Sequence, residues 1–166
     1  MIPSGCYAPA DIPQSWRELL LNIPGYDSIA TAPDGYWFDP VIAEKSIAFF
    51  PTYLRFIEGS ENPGKGGGAG DPFILEPCQQ AINANLFGWQ RMDDRGRKIR
   101  RYREAFVYVP RGNGKTPWLS GVCLYSLLCD GEKGAQIYGA ASEREQASLL
   151  FRHAKGFVEQ SPMLSK

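Results

Sequence analysis

Histidine is nearly missing from this chain, and its cysteines never come in close pairs. One histidine, His153, and four scattered cysteines, Cys6, Cys78, Cys123 and Cys129, contain no CxxC spacing. A structural zinc site or a disulfide framework is therefore not expected, and reduced thiols in an intracellular protein are. Net charge is missing as well: 18 Lys+Arg balance 18 Asp+Glu, so the whole chain exerts no pull on nucleic acid and any such binding must come from a local patch. No apolar run approaches the roughly 20 residues that span a bilayer. Residues 1–16, "MIPSGCYAPADIPQSW", lack the basic start and apolar stretch of a signal peptide. A soluble cytoplasmic protein is expected, without internal repeats.

The chain does have apolar bulk, with 43% hydrophobic residues in 166, enough for one compact domain with a core and too little for two large ones. Residues 1–40 are rich in proline, glycine and aspartate. Within them "PQSWRELLLNI" predicts a short helix with Trp16, Leu19, Leu20 and Ile23 on one face. "FDPVIAEKSIAFFPTYLRFIEG" predicts a second helix, capped by Asp39, with Pro40 at its first position and Glu58-Gly59 at its end. Pro51 inside that run predicts a break or kink near Phe50. Phe49, Phe50, Tyr53 and Phe56, at helical spacing, are expected in the core of an N-terminal helical subdomain. Residues 59–71, "GSENPGKGGGAGD", hold six glycines and a proline, a composition that predicts a flexible linker with no packed element. The Gly-Lys pair in it is followed by Gly66, where a phosphate loop has Ser or Thr.

After the linker, residues 73–76 read as extended and 77–86 as a helix. "WQRMDDRGRKIRRYREAFVYVP" reads as a hairpin, turning at Asp93-Asp94-Arg95-Gly96 into a long β-rich arm over residues 99–109. "GKTPWLSGVCLYSLLCDGE" predicts a helix ended by Gly131, and "GAQIYGAAS" a buried strand. "SEREQASLLFRHAKGFVEQ" predicts another helix, opened by a capping box of Ser142 and Glu145. From residue 104 the order strand, helix, strand, helix is the pattern of a parallel, three-layer α/β sheet.

The junction "EAFVYVPRGNGKTPW" carries the chemistry. Small residues let successive backbone N–H groups turn onto phosphate oxygens, a lysine reaches the β- and γ-phosphates, and a hydroxyl holds Mg²⁺. Gly112, Asn113 and Gly114 suit the turn, and Lys115 and Thr116 are the required pair. The helix that follows aims its positive end at the anion. Pro117 fits there, because the first helical turn has N–H groups without intrahelical partners. Val109 stands where GxxxxGK[ST] has its first glycine. Arg111 within the loop is placed either to neutralise the γ-phosphate or to point outward and pair with a carboxylate. The simpler alternative is a glycine-rich turn with an incidental lysine.

These residues resemble the large terminase subunits of tailed phages, the ATP-driven DNA-packaging motors. The similarity runs through "GYWFDPVIAEKSIAFF", "GDPFILEPCQQAINANLFGW", "RRYREAFVYVPRGNGKT" and "AQIYGAASEREQA", most of residues 36–150, in order and spacing. It includes the arginine-bearing Walker A loop without its first glycine. The resemblance implies an α/β fold: the N-terminal portion of a P-loop NTPase parallel sheet, over residues 87–166, preceded by a helical or lid subdomain over 1–86 that includes an adenine-motif segment at 73–86. It implies ATP and Mg²⁺ as cofactors, with Lys115 and Arg111 catalytic, Gly112, Asn113 and Gly114 around the phosphates and Thr116 on Mg²⁺. Gln79 in "LEPCQQ", beside Gln80, becomes the residue that pairs with adenine N6 and N7, and Cys78 stands where the family pattern has Trp. The implied partners are double-stranded phage DNA, a small terminase subunit, the portal and procapsid, and a homo-oligomeric ring in host cytoplasm, with no membrane.

"CLYSLLCDGE" imitates a Walker B strand ending at Asp130, but it falls within the helix that the loop starts. No Walker B, coupling motif or nuclease carboxylate cluster is expected in these residues, which look like the N-terminal third of such a subunit, alone binding nucleotide weakly at best and hydrolysing it negligibly. The alternatives are a non-catalytic P-loop remnant or nucleotide- or partner-binding module, and a helicase-type ATPase fragment. Elsewhere, Arg91, Arg95, Arg97, Lys98, Arg100, Arg101 and Arg103 form either a DNA- or subunit-facing patch or a solvated hairpin offset by Asp93 and Asp94. Arg144 is a candidate arginine finger or an ordinary exposed first-turn residue, and His153 has a surface or packing role. A parallel sheet short of strands would expose an apolar edge.

Overall fold

The structure is a computed structural model, describing residues 2–57, 67–131 and 134–165. Most of the expected glycine linker, and the expected helix end at Glu58-Gly59, lie outside the described residues. Five α-helices and three short strands are formed among the described residues: α1 (Gln14–Leu20), β1 (Trp37–Phe38), α2 (Pro40–Tyr53), α3 (Pro77–Gly88), β2 (Trp89–Met92), β3 (Lys98–Arg100), α4 (Lys115–Leu128) and α5 (Arg144–Gln160). This mixture is compatible with an α/β class. The chain divides into two compact units, one of Met1–Ala48 with Leu75–Val107 and one of Phe49–Ile74 with Tyr108–Lys166.

In the first unit the three strands pair antiparallel in the order β1-β2-β3. The expected hairpin is present, with Arg91 opposite Ile99 and Met92 opposite Lys98. Its turn is built on Asp93, whose Oδ1 accepts the N–H groups of Arg95 at 2.9 Å and Arg97 at 2.8 Å while Oδ2 takes Arg97 Nε at 2.8 Å. These bonds hold the Asp93 carboxyl below the usual carboxylate range, the Arg97 backbone N–H contributing most.

Ile12, Leu20, Phe38, Ala43, Ala84 and Trp89 form the core of this unit. α1 presents Leu20 to it, with Trp16 and Leu19 packed alongside, the face that the spacing predicts. Gly88 has no side chain because Phe38 and Ala43 occupy the place where a Cβ would fall, 3.0 Å from Ala43 Cβ. Most buried polar groups are paired, Ser28 Oγ and Trp37 Nε1 being exceptions. Trp89 Nε1 donates to Asn85 Oδ1 at 3.1 Å, and Asn85 Nδ2 donates to Leu20 O at 3.0 Å and Ala81 O at 2.9 Å. Asp39 caps α2 as expected, its Oδ1 accepting from Val41 and Ile42 N–H at 3.1 Å each.

In the second unit, Phe49, Phe50 and Phe56 do pack, against Phe73 and Tyr125: ring centroids are 5.6 Å apart for Phe50–Phe73, 4.6 Å for Phe56–Phe73 and 5.5 Å for Phe49–Tyr125. Phe73 in turn stacks on Phe157 of α5 at 5.8 Å.

Several expectations are corrected. α2 is not interrupted near Phe50; it continues through Pro51 to Tyr53, Pro51 forgoing the one N–H bond it would have made a turn back. The chain then leaves the helix earlier than expected and pairs with the end of the glycine-rich run. Phe56 N donates to Asp71 O at 3.0 Å, Gly70 N to Phe56 O at 2.8 Å and Phe73 N to Leu54 O at 3.0 Å. Residues 67–71 are thus a paired turn, not free linker. α5 starts at Arg144 with Glu143 as N-cap and no side-chain cap bond, so the box expected from Ser142 and Glu145 is not formed.

The largest difference is in the sheet. The arm expected over 99–109 ends as strand at Arg100, and residues 135–141 form no strand. Phe106 is 91% exposed, Tyr108 89% and Tyr138 83%, where buried strands were expected. Parallel strands are stable only when flanked and covered on both faces. Among the described residues no backbone hydrogen bond reaches 102–109 or 135–141.

Candidate nucleotide-binding loop

The loop between residue 109 and α4 has the backbone that its sequence predicts. Gly112 and Gly114 have φ of +83° and +61°, in the left-handed region that favours glycine, and Gly114 is the N-cap of α4. Two such residues flanking Asn113 reverse the chain so that it enters the helix at Lys115. Lys115 and Thr116 are therefore the first two residues of α4, where unpaired N–H groups and the helix dipole favour an anion.

The side chains converge on the loop's own backbone. Lys115 Nζ donates to Val109 O at 2.7 Å and lies 3.4 Å from Pro110 O. Asn113 Nδ2 donates to Pro110 O at 3.3 Å. Val109, noticed in the sequence only as a missing glycine, thus supplies the carbonyl that orients the lysine, a role that any residue's backbone can fill and no side chain signals. Arg111 and Lys115 are exposed, and Thr116 is half-buried. Sequence reasoning also missed Ser120, one helical turn beyond Thr116 and fully buried. Its Oγ lies 2.8 Å from Thr116 O and 3.0 Å from Leu150 O, which ties the first turn of α4 to α5.

The donor set suits phosphate: a flexible ammonium, a hydroxyl and glycine N–H groups at a helix start. It offers a divalent cation one protein ligand, the Thr116 hydroxyl. Among the described residues no group of three His, Cys, Asp or Glu side chains could hold a metal. A Mg²⁺ at Thr116 would therefore be held mainly through nucleotide phosphates and water, as is usual for this ion.

Gln79 belongs to the first unit and the loop to the second. Gln79 is 8% exposed, and its Oε1 accepts the Glu76 N–H at 3.1 Å, one half of the capping box that starts α3. Gln80, half-buried, donates through Nε2 to Leu75 O at 2.8 Å.

The basic hairpin is largely occupied with its own fold. Arg97 is bonded to Asp93 and Lys98 lies 3.5 Å from Asp39. Arg101 donates to Ser28 O and Thr31 O at 2.6 Å each, and its guanidinium covers the Trp89 ring at 5.2 Å. Arg100 covers Phe87 at 5.3 Å. That geometry favours the solvated, self-paired hairpin over a patch for DNA. Arg144 is the exposed first residue of α5. His153 is half-buried, its ring 6.4 Å from that of Phe157, a packing position. Burial pushes the Cys123 thiol up, away from nucleophilic use. No described helix is long and apolar enough to cross a membrane.

No curated protein and no solved structure matches this chain. The family model of the terminase large subunit, ATPase domain, matches residues 77–166, which include the loop, α4 and α5 and make up more than half of the chain. The chain therefore belongs to the terminase large subunit ATPase domain family.

Proposed function

We propose that residues 110–116 hold the β- and γ-phosphates of Mg·ATP, and that this chain is the ATP-binding part of a phage terminase large subunit that drives double-stranded DNA into a procapsid. The observation that carries this reading is the pair of left-handed glycines that delivers Lys115 and Thr116 to the start of α4, in a chain of this family. In this reading Lys115 leaves the carbonyl of Val109 for phosphate, the N–H groups of Gly112 to Thr116 line the anion, and Thr116 Oγ1 reaches Mg²⁺. Arg111 neutralises the γ-phosphate as charge develops there, and Gln79 reads adenine. The parallel P-loop sheet, the small terminase subunit, the portal, a homo-oligomeric ring and a setting in host cytoplasm belong to the same proposal.

These residues bind nucleotide without appreciable turnover. Hydrolysis needs a carboxylate to orient the attacking water. Asp130, which the sequence offers in imitation of one, lies beyond the far end of α4, about 20 Å from the loop at 1.5 Å per residue over this helix.

Calorimetric titration of Mg·ATP into wild type and Lys115→Ala tests the loop. Weak binding by wild type, reduced at least tenfold in the variant, supports it; equal and undetectable binding by both sinks it. Robust turnover by wild type would sink the second claim. Arg111→Ala is expected to weaken ATP more than ADP. For Gln79 the discriminating variant is Gln79→Glu, which keeps an oxygen for the Glu76 N–H but has no amide donor for adenine. Loss of preference for ATP over GTP with unchanged stability supports base reading, and unchanged preference leaves Gln79 as a helix cap alone.

A further inference from the structure

A helix frays first at its ends, where N–H groups have no intrahelical partners. In α4 that first turn carries Lys115 and Thr116, and Pro117 follows with no N–H at all. Two buried side chains hold the turn down, Trp118 and Ser120. Ser120 is the unusual one. Its Oγ lies 2.8 Å from Thr116 O and 3.0 Å from Leu150 O of α5, all within the second unit. One residue on, Gly121 brings α4 against Phe50 and Leu54, so the body of the helix is fixed there and the turn before it is left to adjust.

A serine bonded only to the carbonyl four residues back slightly disfavours a helix, so that bond alone gives no reason for a hydroxyl here. The second acceptor does. A hydroxyl has one proton, and two carbonyls share it, one on the neighbouring helix and one on the residue whose Oγ1 is assigned to Mg²⁺ above. Each carbonyl also takes the N–H four residues on, that of Ser120 for Thr116 and that of Ala154 for Leu150, by the α-helical pattern. Removing the hydroxyl therefore strands no buried acceptor, and alanine is the better helix former. The fold has little need of this hydroxyl, whereas the placement of Thr116 depends on it.

We infer that Ser120 is a positioning residue for the metal: by tying the Thr116 carbonyl to α5 it fixes how Thr116 Oγ1 is presented to Mg²⁺, without touching nucleotide or metal itself. The inference rests on the phosphate-binding role proposed for residues 110–116. Lys115 and the loop N–H groups act on phosphate without Thr116, so the Ser120 hydroxyl matters for Mg·ATP and not for ATP free of metal.

NMR titration of the loop amides with Mg·ATP, and with ATP in excess EDTA, tests it on wild type and Ser120→Ala. The expected variant keeps the wild-type urea midpoint, binds Mg·ATP about three- to tenfold more weakly, the worth of one hydrogen bond, and binds metal-free ATP as wild type does. In a Thr116→Ala background Ser120→Ala should have no further effect, because the group it positions is gone; a merely structural role would give the same loss in both backgrounds. Should Ser120→Ala fail to give the wild-type circular dichroism, Ser120→Cys, with a weaker donor in place of the hydroxyl, carries the same comparisons. Equal Mg·ATP binding by wild type and variant, an equal loss for both forms of ATP, or an undiminished loss in Thr116→Ala overturns the inference and leaves the phosphate loop standing. Failure of wild type to bind either form overturns the loop assignment, and this inference with it.

Discussion

Residues 89–100 and residues 102–109 are both rich in strand-forming side chains, yet only the first stretch is a hairpin. The difference lies in where the partner strand is. β2 finds β3 across the turn at Asp93–Gly96, so closing the pair costs the entropy of a very short loop. One face of the pair then has Trp89 in a core already formed by Phe38, Leu20 and Ala84. The stretch "EAFVYV" has no neighbour in sequence that can pair with it. A parallel partner lies beyond a helix, at 135–141 or farther, and neither stretch has backbone partners among the described residues. Pairing that is local in sequence organises itself, whereas pairing across a crossover needs every layer present at once.

Hydrogen exchange should show this contrast most strongly. The Arg101 amide donates to Trp89 O at 2.9 Å. For a domain of ordinary stability, its exchange is expected to be slower than that of residues 104–108 by roughly 10³-fold or more. Comparable protection of both stretches would mean that 104–108 have found a strand partner in solution, and the comparison would fail.

Two substitutions then ask whether the units differ in how much a core residue carries. Trp89→Ala removes a fully buried ring that lies 5.7 Å from Phe38 and leaves Asn85 Oδ1 without its indole donor. Urea denaturation is expected to show a loss of about 3–5 kcal/mol. In the second unit Gly121 sits where a Cβ would fall 2.9 Å from Leu54 Cδ1 and closer still to the Phe50 ring. Gly121→Ala should cost about 1–3 kcal/mol through overpacking. A neutral result would mean that α4 is held loosely enough to shift away from α2.

Most local signals in the sequence translated directly into structure, the capping box expected of Ser142 and Glu145 being an exception, and non-local ones did not. Asp39 before Pro40, the turn at Asp93-Asp94-Arg95-Gly96, and Gly112 and Gly114 flanking Asn113 each act through bonds within a few residues, and each is found as read. The turn into α4 was legible for that reason, since its geometry is set by two glycines and the helix that follows. The strands at 104–109 and 135–141 were read from apolar composition alone, which states a need for burial and not what supplies it. The pairing of 54–56 with 71–73 was illegible because glycine-rich composition suggests freedom, whereas Gly67 lets the backbone approach the Phe56 ring and Gly70, at φ +90°, turns the chain so that its N–H reaches Phe56 O. Arg101 read as surface charge; its bonds to Ser28 O and Thr31 O join residues about seventy positions apart, beyond any local pattern.

The smallest expected effect lies in the turn that makes the hairpin local. Asp93 accepts three hydrogen bonds, and its folded-state value lies below the ordinary carboxylate value of 3.8. A group depressed on folding adds stability that is fully present above its unfolded value and is lost as pH falls through the folded one. The turn should therefore hold at neutral pH and loosen only in acid below about 4. Following the Asp93 carboxyl carbon by NMR against pH gives the value directly. Asp93→Asn keeps an oxygen for the Arg95 and Arg97 N–H groups but cannot titrate, so it should retain the hairpin and lose this part of the acid dependence. If the hairpin of Asp93→Asn still loosened over the same pH range, a group other than the turn carboxylate would be responsible, and the local character of the pairing would rest on Trp89 and the core beneath it.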